Sequence, residues 1–485
     1  MCDVMKKINL MMIVCLICSS VMLGACAGND DIAAGNDEQV ADCTIIFYGV
    51  GGATLDLDVY NNLRQMYRGL VDHSNVEGVV FFKNSSYINS DMRNTLKAQN
   101  FEFHKATAYR FCVDRTMADN AQMQFADDNI YGGDGANINI AMADTLAHFI
   151  SYAATMRPAR RYVLVLSDHG RGYNPMDDRA ETLLATSRGI LTDDGYTNTC
   201  MSARGIRTAI ERSGVAIDAV YLDACLMNCV ETLYELSEVT KHIVSATYYT
   251  PDVGGEYTHL VDRLATSTDC GQALARYCDD VADYWKQCEE AGINPGDYFA
   301  SDINVISCEQ LRTAAPALRS FIDQLTQDYT DPALASQIDA VTAHAKANES
   351  ESALYDLCAY FDSLMVGVSS TALVDAAREA KTRMLQCKLN SRGTVETEHN
   401  GLPSFNFLLG ADGSWLNRYD YGGLLEVKQY RWDGTMTVTY YNGDTMVNQN
   451  DSTWGRTGDE TYAKLIFEKL TGWSRWLKLN KQQPK

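Results

Sequence analysis

Positive charge is scarce in this sequence of 485 residues. Lys and Arg number 41 against 63 Asp and Glu, which gives a formal net charge of −22. A chain this acidic lacks the basic surface that neutralises phosphates, so we exclude general nucleic-acid binding. Acidity also agrees with a basic substrate, although solubility alone is the favoured explanation. With 46% hydrophobic and 21% charged residues, the composition is that of a globular protein.

Long apolar segments are missing except near the N-terminus. Positions 8–23 form a mostly apolar stretch after Lys6 and Lys7. The stretch is short for a membrane span of roughly 20 residues but typical of a signal peptide. It ends in Leu23-Gly24-Ala25-Cys26, which resembles a bacterial lipobox. An ordinary signal peptide is the alternative.

This resemblance implies cleavage before Cys26 and lipidation of its thiol. Residues 1–25 are then the signal peptide, and residues 26–41, small, polar and acidic, form a flexible tether. The protein should be anchored to a membrane by lipid and should not span it. Asp30-Asp31 resembles the acidic export signals of some Gram-negative surface lipoproteins. We therefore expect the cell envelope, on the outer membrane or cell surface of a Gram-negative bacterium.

Paired CxxC spacing is absent from the chain after the signal segment. Of 15 cysteines, Cys2, Cys15 and Cys18 leave with the signal and Cys26 is lipidated, so 11 remain. Their scattered positions indicate neither a zinc site nor a disulfide framework. We expect most of them to be small buried hydrophobic residues, with at least one free thiol.

Buried strands alternate with amphipathic helices from residue 43 onward. Apolar, β-branched runs predict five strands: Cys43–Tyr48, Val76–Phe82, Tyr162–Leu166, Ile217–Leu222 and His242–Ala246. Apolar residues at helical spacing predict helices over 61–70, 141–154 and 206–212. Strands that are apolar throughout favour an α/β fold with a mainly parallel central sheet flanked by helices.

The pattern changes in the second half of the chain. Residues 308–389 are mostly helical, and three runs predict strands at 402–409, 424–430 and 436–441. A last helix is predicted over 462–470. We expect a main domain over 42–305 and, over 306–485, a helical segment with a C-terminal β/α part that completes the fold.

Two chemically distinctive residues follow predicted strands. His169 comes after the third strand and Cys225 after the fourth, and sites in parallel sheets form at these carboxyl ends. A thiol becomes an effective nucleophile beside an imidazole. Gly170 permits close backbone approach, and its N–H with that of Cys225 could hold an oxyanion. The competing interpretation is a buried structural cysteine and a loop histidine that never meet.

Two segments carry a family resemblance. VLVLSDHGRGY (163–173) and VYLDACLMNCVETLYEL (220–236) resemble the signature blocks of the clostripain family of cysteine peptidases. The spacing between His169 and Cys225 also fits that family. The resemblance covers roughly residues 43–480 and implies a caspase-like fold in a lipoprotein member. At the positions that match the family's motifs, the resemblance implies that Cys225 is the nucleophile and His169 the general base and acid.

The resemblance also implies cleavage after basic residues, with Arg preferred and Lys accepted. The same resemblance implies that Asp223 forms the floor of the pocket that receives this side chain. The physical reason is that a carboxylate in a partly dry pocket selects a cation. A strand-capping role for Asp223 is the competing interpretation. Asp252 is a second candidate acid for the pocket. Thr247-Tyr248-Tyr249 stands where acidic residues are common in relatives, which leaves a non-basic specificity open.

Many family members are zymogens that cut themselves between the dyad residues. The long polar stretch 172–200 carries Arg179 and Arg188, the predicted cleavage sites. An uncut active loop is the alternative. Cys229 follows Cys225 by four positions and on a helix would face the same side. Core packing is favoured there over a regulatory disulfide.

No cofactor is required according to the resemblance, although some members need calcium. Asp127-Asp128-Asn129 and Asp193-Asp194 are acidic stretches that suit calcium, without an EF-hand pattern. No metal ligand is predicted by spacing. We expect a monomer that acts on proteins or peptides with basic residues. A non-catalytic surface binding lipoprotein on the same scaffold is the alternative from another class.

Overall fold

The computed structural model describes most of the chain after residue 39. Ala41–Lys485 form one compact unit and Met1–Val40 a separate one. The predicted signal peptide, most of the tether, Cys26, Arg179 and Arg188 lie outside the described residues. Those residues are 40–51, 55–84, 94, 108–115, 138–170, 172, 190–193, 196–197, 199–293, 301–347, 355–393, 408–409, 424–430, 436–442, 445–447 and 465–481.

The strands are numbered in chain order. They are β1 Cys43–Val50, β2 Val76–Lys83, β3 Ala108–Cys112, β4 Tyr162–Ser167, β5 Ile190–Asp193, β6 Tyr196–Thr197, β7 Thr199–Met201, β8 Ile217–Asp223, β9 Thr240–Ser245, β10 Asp302–Ser307, β11 Tyr355–Asp356, β12 Lys388–Gly393, β13 Leu408–Leu409, β14 Leu424–Tyr430, β15 Met436–Asn442 and β16 Thr445–Val447.

The helices of the described residues follow the same numbering. They are α1 Asp56–Asp72, α2 Ala143–Met156, α3 Ala203–Ser213, α4 Val230–Leu236, α5 Tyr257–Thr266, α6 Cys270–Glu290, α7 Cys308–Asp328, α8 Pro332–Ala347, α9 Leu357–Gly367, α10 Thr371–Gln386, α11 Ile466–Thr471 and α12 Ser474–Lys481. Within the described part of the chain, none of them has both the length and the apolar character needed to cross a membrane.

An eight-stranded sheet forms the centre of the fold, in the order β12-β10-β9-β8-β4-β1-β2-β3. The five middle strands, from β9 to β2, are parallel to one another. β3 at one edge and β10 and β12 at the other pair antiparallel. The predicted α/β class with a mainly parallel central sheet is therefore confirmed.

Side chains of alternate residues along each strand enter two different cores. In β1, Ile45 and Phe47 pack with the apolar faces of α1, α5 and α6, whereas Ile46 and Tyr48 pack with α2 and the helices of the other face. Period-two alternation of wholly apolar strands explains this, because successive side chains point to opposite faces of a sheet. Both faces are thus covered, and the strand ends are the part of the central strands left for a ligand.

The predicted strands of the main sheet agree with the structure to within two residues at each end. β3, β10 and β12 complete the sheet and have no counterpart among the predicted strands. β12 lies within the segment 306–485 and pairs with β10 in the main sheet. The domain boundary after residue 305 stays a prediction. β14 and β15 confirm two predicted C-terminal strands and form a separate antiparallel sheet with β6 and β16.

The prediction of the last helix is wrong in one respect. α11 ends at its C-cap residue Gly472, whose φ of +67° suits glycine, and α12 follows α11. Trp473 and Trp476, before and on this added helix, are fully buried. The C-terminus therefore contributes aromatic side chains to the core on the α7 side of the sheet.

Candidate active site

The pairing of β4 with β8 sets the geometry of the predicted dyad. Ser167, the last residue of β4, pairs with Asp223, the last residue of β8. His169 lies two positions beyond Ser167, and Cys225 lies two positions beyond Asp223. Adjacent parallel strands are about 4.8 Å apart, so this register brings His169 and Cys225 to neighbouring positions at the carboxyl edge. The Asp168 N–H donates to the Asp223 carbonyl at 3.4 Å and extends the pairing beyond the strands.

An open pocket of about 350 Å³ lies at this edge. The structure brings four predicted site residues into its wall: His169, Asp223, Cys225 and Asp252. The remaining lining residues come from α1 and the residue before it, from the two strand ends and from the loop after β9: Leu55, Val59, Asn62, Ser167, Asp168, Ala224, Thr250, Pro251 and Gly254.

Gly170 packs directly against the backbone of the predicted nucleophile. A Cβ at this position would stand 2.2 Å from the Cys225 carbonyl oxygen and 2.9 Å from the Cys225 nitrogen. No side chain fits in that space, because real Cβ contacts essentially never fall below 3.0 Å. The glycine predicted for close backbone approach is therefore used for approach to Cys225 itself.

The Cys225 thiol is half-buried and contacts the backbone of Thr250. The Thr250 N–H donates to Sγ at 3.3 Å, and Sγ lies 3.6 Å from the Thr250 carbonyl oxygen. Burial raises the pKa of Cys225 to about 11, and the charges of Asp252 and Asp223 add to that rise, against the lowering effect of the Thr250 N–H. The thiol is thus protonated at neutral pH in this conformation and needs a base to become a nucleophile.

Cys225 lies in a turn rather than on a helix, so the condition under which Cys229 would face the same side is not met. Leu226 adopts a φ of +62°, a conformation that costs free energy for a residue with a side chain. α4 begins only at Val230, with Cys229 as its N-cap residue. Cys229 is fully buried and packs with Leu226 and Cys225, and the cysteines in the described part of the chain form no disulfide. Core packing accounts for Cys229.

Three tyrosines surround the Asp223 carboxylate below the thiol. It accepts hydrogen bonds from the Tyr257 hydroxyl at 2.6 Å, the Gly255 N–H at 3.2 Å and the Tyr221 hydroxyl at 3.3 Å. Tyr277 packs edge-on against Tyr221. Burial raises the pKa of Asp223, and the hydrogen bonds from Tyr257, Gly255 and Tyr221 oppose that rise. The carboxylate is thus buried but supplied with donors.

The turn beneath the pocket is fixed from two helices. Asn62 on α1 donates to the carbonyl oxygens of Val253 and Gly255 at 2.9 and 3.0 Å. The Trp285 indole on α6 donates to the Gly254 carbonyl at 2.8 Å. Gly254 has a φ of +65°, a left-handed conformation that glycine adopts without strain. This turn presents the Gly255 N–H to Asp223 and places exposed Asp252 at the mouth of the pocket.

Sequence reasoning missed the tyrosine cluster. Tyr221 precedes Asp223 by two positions on β8, and alternation along a strand already places both side chains on one face. That spacing was the available signal. Tyr257 and Tyr277 come from α5 and α6, and no local pattern connects them to a strand end so much earlier in the chain.

Metal binding finds no support among the described side chains. No group of three or more His, Cys, Asp or Glu side chains in the described part of the chain is placed to hold an ion. The stretch 127–129 lies outside the described residues, and of the stretch 193–194 only the backbone of Asp193 is described.

A thiol, an imidazole and a buried carboxylate in one pocket, at the carboxyl edge of a parallel sheet, are groups that a cysteine-dependent hydrolase uses. The sequence model of the clostripain family matches residues 65–441. The chain therefore belongs to the clostripain family and is a cysteine endopeptidase. No curated protein matches the chain.

Solved structures of other bacterial proteases share the fold. A secreted C11 cysteine protease from Bacteroides thetaiotaomicron, in complex with an irreversible peptide inhibitor, has a TM-score of 0.53 at 14% identity, covering 89% of this chain and 99% of its own. An inactive zymogen C11 protease from Parabacteroides distasonis has a TM-score of 0.50 at 16% identity, covering 89% of this chain and 98% of its own. At such low identity these matches confirm the caspase-like fold alone.

We predict that Gly170→Ala lowers the free energy of unfolding by about 1–3 kcal/mol, since the added methyl group must displace the Cys225 backbone. Denaturant unfolding of the two proteins measures this. Gly205→Ala is the matched control: it lies on α3, and the nearest atom to its added Cβ is the flexible Met201 Cγ at 3.1 Å. Equal stability of Gly170→Ala and wild type would contradict the close approach described above.

Proposed function

We propose that this lipid-anchored endopeptidase cleaves after basic residues through a Cys225/His169 dyad and an acyl-enzyme. The observation that best supports this proposal is the register of β4 with β8, which brings both side chains into one pocket together with Asp223 and Asp252. A structural cysteine and an unrelated loop histidine would not be expected to share a pocket at two adjacent strand ends.

His169 acts first as the general base in the proposed mechanism. It removes the proton from Sγ of Cys225, and the thiolate attacks the carbonyl carbon of the scissile peptide bond. The N–H groups of Gly170 and Cys225 donate to the oxyanion that forms. His169 then returns its proton to the leaving amine as the carbon–nitrogen bond breaks. Water, deprotonated by His169, hydrolyses the thioester and releases the free thiol.

Basic specificity is supported by the two carboxylates of the pocket. Asp223 is buried, Asp252 is exposed and both line the pocket, and both charges reach the sulfur, since both raise the pKa of Cys225. A cationic side chain entering between them is attracted by the same negative potential. Tyr257, Tyr221 and Gly255 keep Asp223 supplied with hydrogen bonds while it is buried, which favours the charged form needed for this attraction.

Self-processing and membrane anchoring complete the proposal. Arg179 and Arg188 lie between the dyad residues in sequence and have the basic character that the pocket would accept. The Parabacteroides distasonis structure of the same fold is an inactive zymogen, which agrees with activation by cleavage. The lipobox supports attachment through Cys26 to the outer membrane or the cell surface, with proteins or peptides as substrates and the protease acting as a monomer. We propose no required cofactor, and a need for calcium stays a prediction.

Hydrolysis of paired fluorogenic peptides tests the proposed function. We expect turnover of peptides ending in Arg or Lys but not of the neutral analogue, and complete loss of turnover in Cys225→Ala and His169→Ala. Asp223→Asn should lower kcat/KM for the basic peptides by roughly 10- to 100-fold, because a charged contact with the substrate is lost. The neutral peptide should change little.

Cys229→Ala is the matched control, as it removes the neighbouring buried thiol and should retain turnover. Turnover of the neutral peptide alone would leave the dyad intact and remove the specificity role of Asp223. An unlabelled Cys225 after treatment with a thiol-directed peptide electrophile, together with no turnover of any peptide, would favour the non-catalytic binding protein.

The pH dependence of KM tests the link between Tyr257 and Asp223. Protonation of Asp223 removes its attraction for a cation, so KM for the basic peptide should rise as pH falls through the pKa of Asp223. The Tyr257 hydrogen bond lowers that pKa, so its loss in Tyr257→Phe should move the rise in KM to higher pH. Initial rates across an acidic pH series measure the shift.

Tyr277→Phe serves as the control for this series. Its hydroxyl lies in the same cluster but is not among the described donors to Asp223. The KM profile of Tyr277→Phe should follow wild type. Identical profiles for Tyr257→Phe and wild type would show that Asp223 does not bind the substrate cation.

Denaturing gels of the purified full chain test self-processing. Wild type should resolve into two fragments with a junction after Arg179 or Arg188, identified by N-terminal sequencing. Cys225→Ala and the double variant Arg179→Ala/Arg188→Ala should stay intact, the first because it lacks the nucleophile and the second because it lacks the sites. Fragments of equal yield in Cys225→Ala would point to cleavage by another protease.

A further inference from the structure

The position of the Cys225 thiol depends on the loop after β9. Thr250 contacts Sγ through both its N–H and its carbonyl oxygen. Two more backbone hydrogen bonds join this loop to the turn that carries Cys225. Leu226 N–H donates to the Tyr248 carbonyl at 2.7 Å, and Asn228 N–H donates to the Ala246 carbonyl at 2.8 Å. The nucleophile turn and the loop of residues 246–252 therefore hold one another in place.

Asp302, at the start of β10, anchors this loop from behind. Its Oδ1 accepts hydrogen bonds from the Thr247 N–H and the Tyr248 N–H, both at 2.8 Å. The other oxygen accepts from the Asn304 amide at 2.6 Å. Asp302 is fully buried, and hydrogen bonds from backbone amides to a buried carboxylate are stronger than those between neutral groups. One carboxylate oxygen thus fixes two consecutive amides of the loop.

The charge of Asp302 is balanced from the edge of the sheet. Lys388 on β12 donates to Asn304 Oδ1 at 2.9 Å, and Ser391 donates to the same oxygen at 2.7 Å. Burial raises the pKa of Asp302, while the donors from the loop and Asn304 and the charge of Lys388 lower it. Asn228 also contributes: its amide donates to the Thr247 hydroxyl at 3.1 Å. A continuous polar network thus runs from β12 to the residues that flank the thiol.

We propose that Asp302 is a positioning residue for catalysis: it fixes the 246–252 loop so that Thr250 holds the Cys225 sulfur in line with the substrate carbonyl. This inference rests on the proposed function, because it assigns Asp302 to the same reaction. Asp302 itself does not line the pocket and acts only through the loop. A displacement of the sulfur by a fraction of an ångström lowers the rate of attack more than it changes the binding of the substrate.

Asp302→Asn tests the proposal in the full chain. The variant keeps the shape of the side chain but removes its charge. Its amide nitrogen, a donor, then faces the Asn304 amide nitrogen, which is also a donor. Active sites are first titrated with an irreversible thiol-directed peptide electrophile, and kcat is then expressed per titrated site. We expect kcat to fall roughly 10- to 100-fold, for the basic peptide and for any neutral peptide that is turned over, with a much smaller change in KM for the basic peptide because Asp252 lies on the same loop. A merely structural role would lower the number of titrated sites and leave kcat per site unchanged.

Lys388→Gln is the second variant, in case Asp302→Asn does not fold. It keeps a donor for Asn304 but removes the balancing charge, and kcat per site should fall in the same direction by a smaller factor. Asp218→Asn is the matched control. Asp218 is a buried carboxylate near the amino end of β8 that accepts from Tyr162 N–H and Lys241, and its loss should leave kcat per site at the wild-type value.

Different experimental results would contradict the proposed function and the proposed role of Asp302. Absence of wild-type turnover overturns the proposed function and this inference with it. An active wild type with unaltered kcat per titrated site in the Asp302 and Lys388 variants overturns this inference alone. An equal loss in Asp218→Asn would also overturn it, because the effect would then belong to buried carboxylates of the sheet in general.

Discussion

The in-register parallel pairing of β4 with β8 is the constraint on which the site depends. Ser167 lies opposite Asp223, and the two predicted catalytic side chains follow at the same distance from the paired residues. A slip of one position would move every side chain of one strand to the opposite core. The cost of that slip is lost close packing, because the side chains of each face interlock with α1, α5 and α6 on one side and with α2, α3 and α7 on the other. Core packing thus sets catalytic geometry.

Two buried aspartates flank the Cys225 turn and have different uses. Asp223 ends β8 and faces the pocket, where tyrosine hydroxyls and a backbone N–H stabilise it. Asp302 begins β10 and faces away from the pocket, toward backbone amides of the 246–252 loop. Both lie in a sheet extended by strands from the second half of the chain. The match to solved proteases accordingly covers most of this chain and not only its first half.

The central strands and the meeting of His169 and Cys225 in one pocket could be predicted because their signals are local. Apolar β-branched runs indicated the middle strands, and a strand followed at once by His169 or Cys225 indicated the site. β12 could not be predicted in this way, since an edge strand of sequence KLNSRG is polar and partly exposed. β10, with the apolar sequence DINVIS, offered a usable signal. Its contribution to the site, Asp302, did not, because the amides that it contacts are distant in sequence.

The turn at Cys225 shows another limit of sequence patterns. On a helix Cys229 would face the same side as Cys225, but Leu226 between them takes a left-handed conformation. That conformation is intrinsically unfavourable and is maintained by the Leu226 N–H bond to Tyr248. A tertiary contact therefore overrides the local preference, as is common at functional sites.

The protonated state of Cys225 has a consequence for the chemical stability of its thiol. With its pKa raised to about 11, the thiol stays protonated at pH 7. Oxidation to sulfenic acid and exchange with disulfides both proceed through the thiolate. Burial, Asp223 and Asp252 thus slow the oxidation of this free cysteine while the pocket is empty. In the proposed function, a cationic side chain that enters the pocket offsets these charges, and the thiol becomes easier to ionise when a substrate is bound.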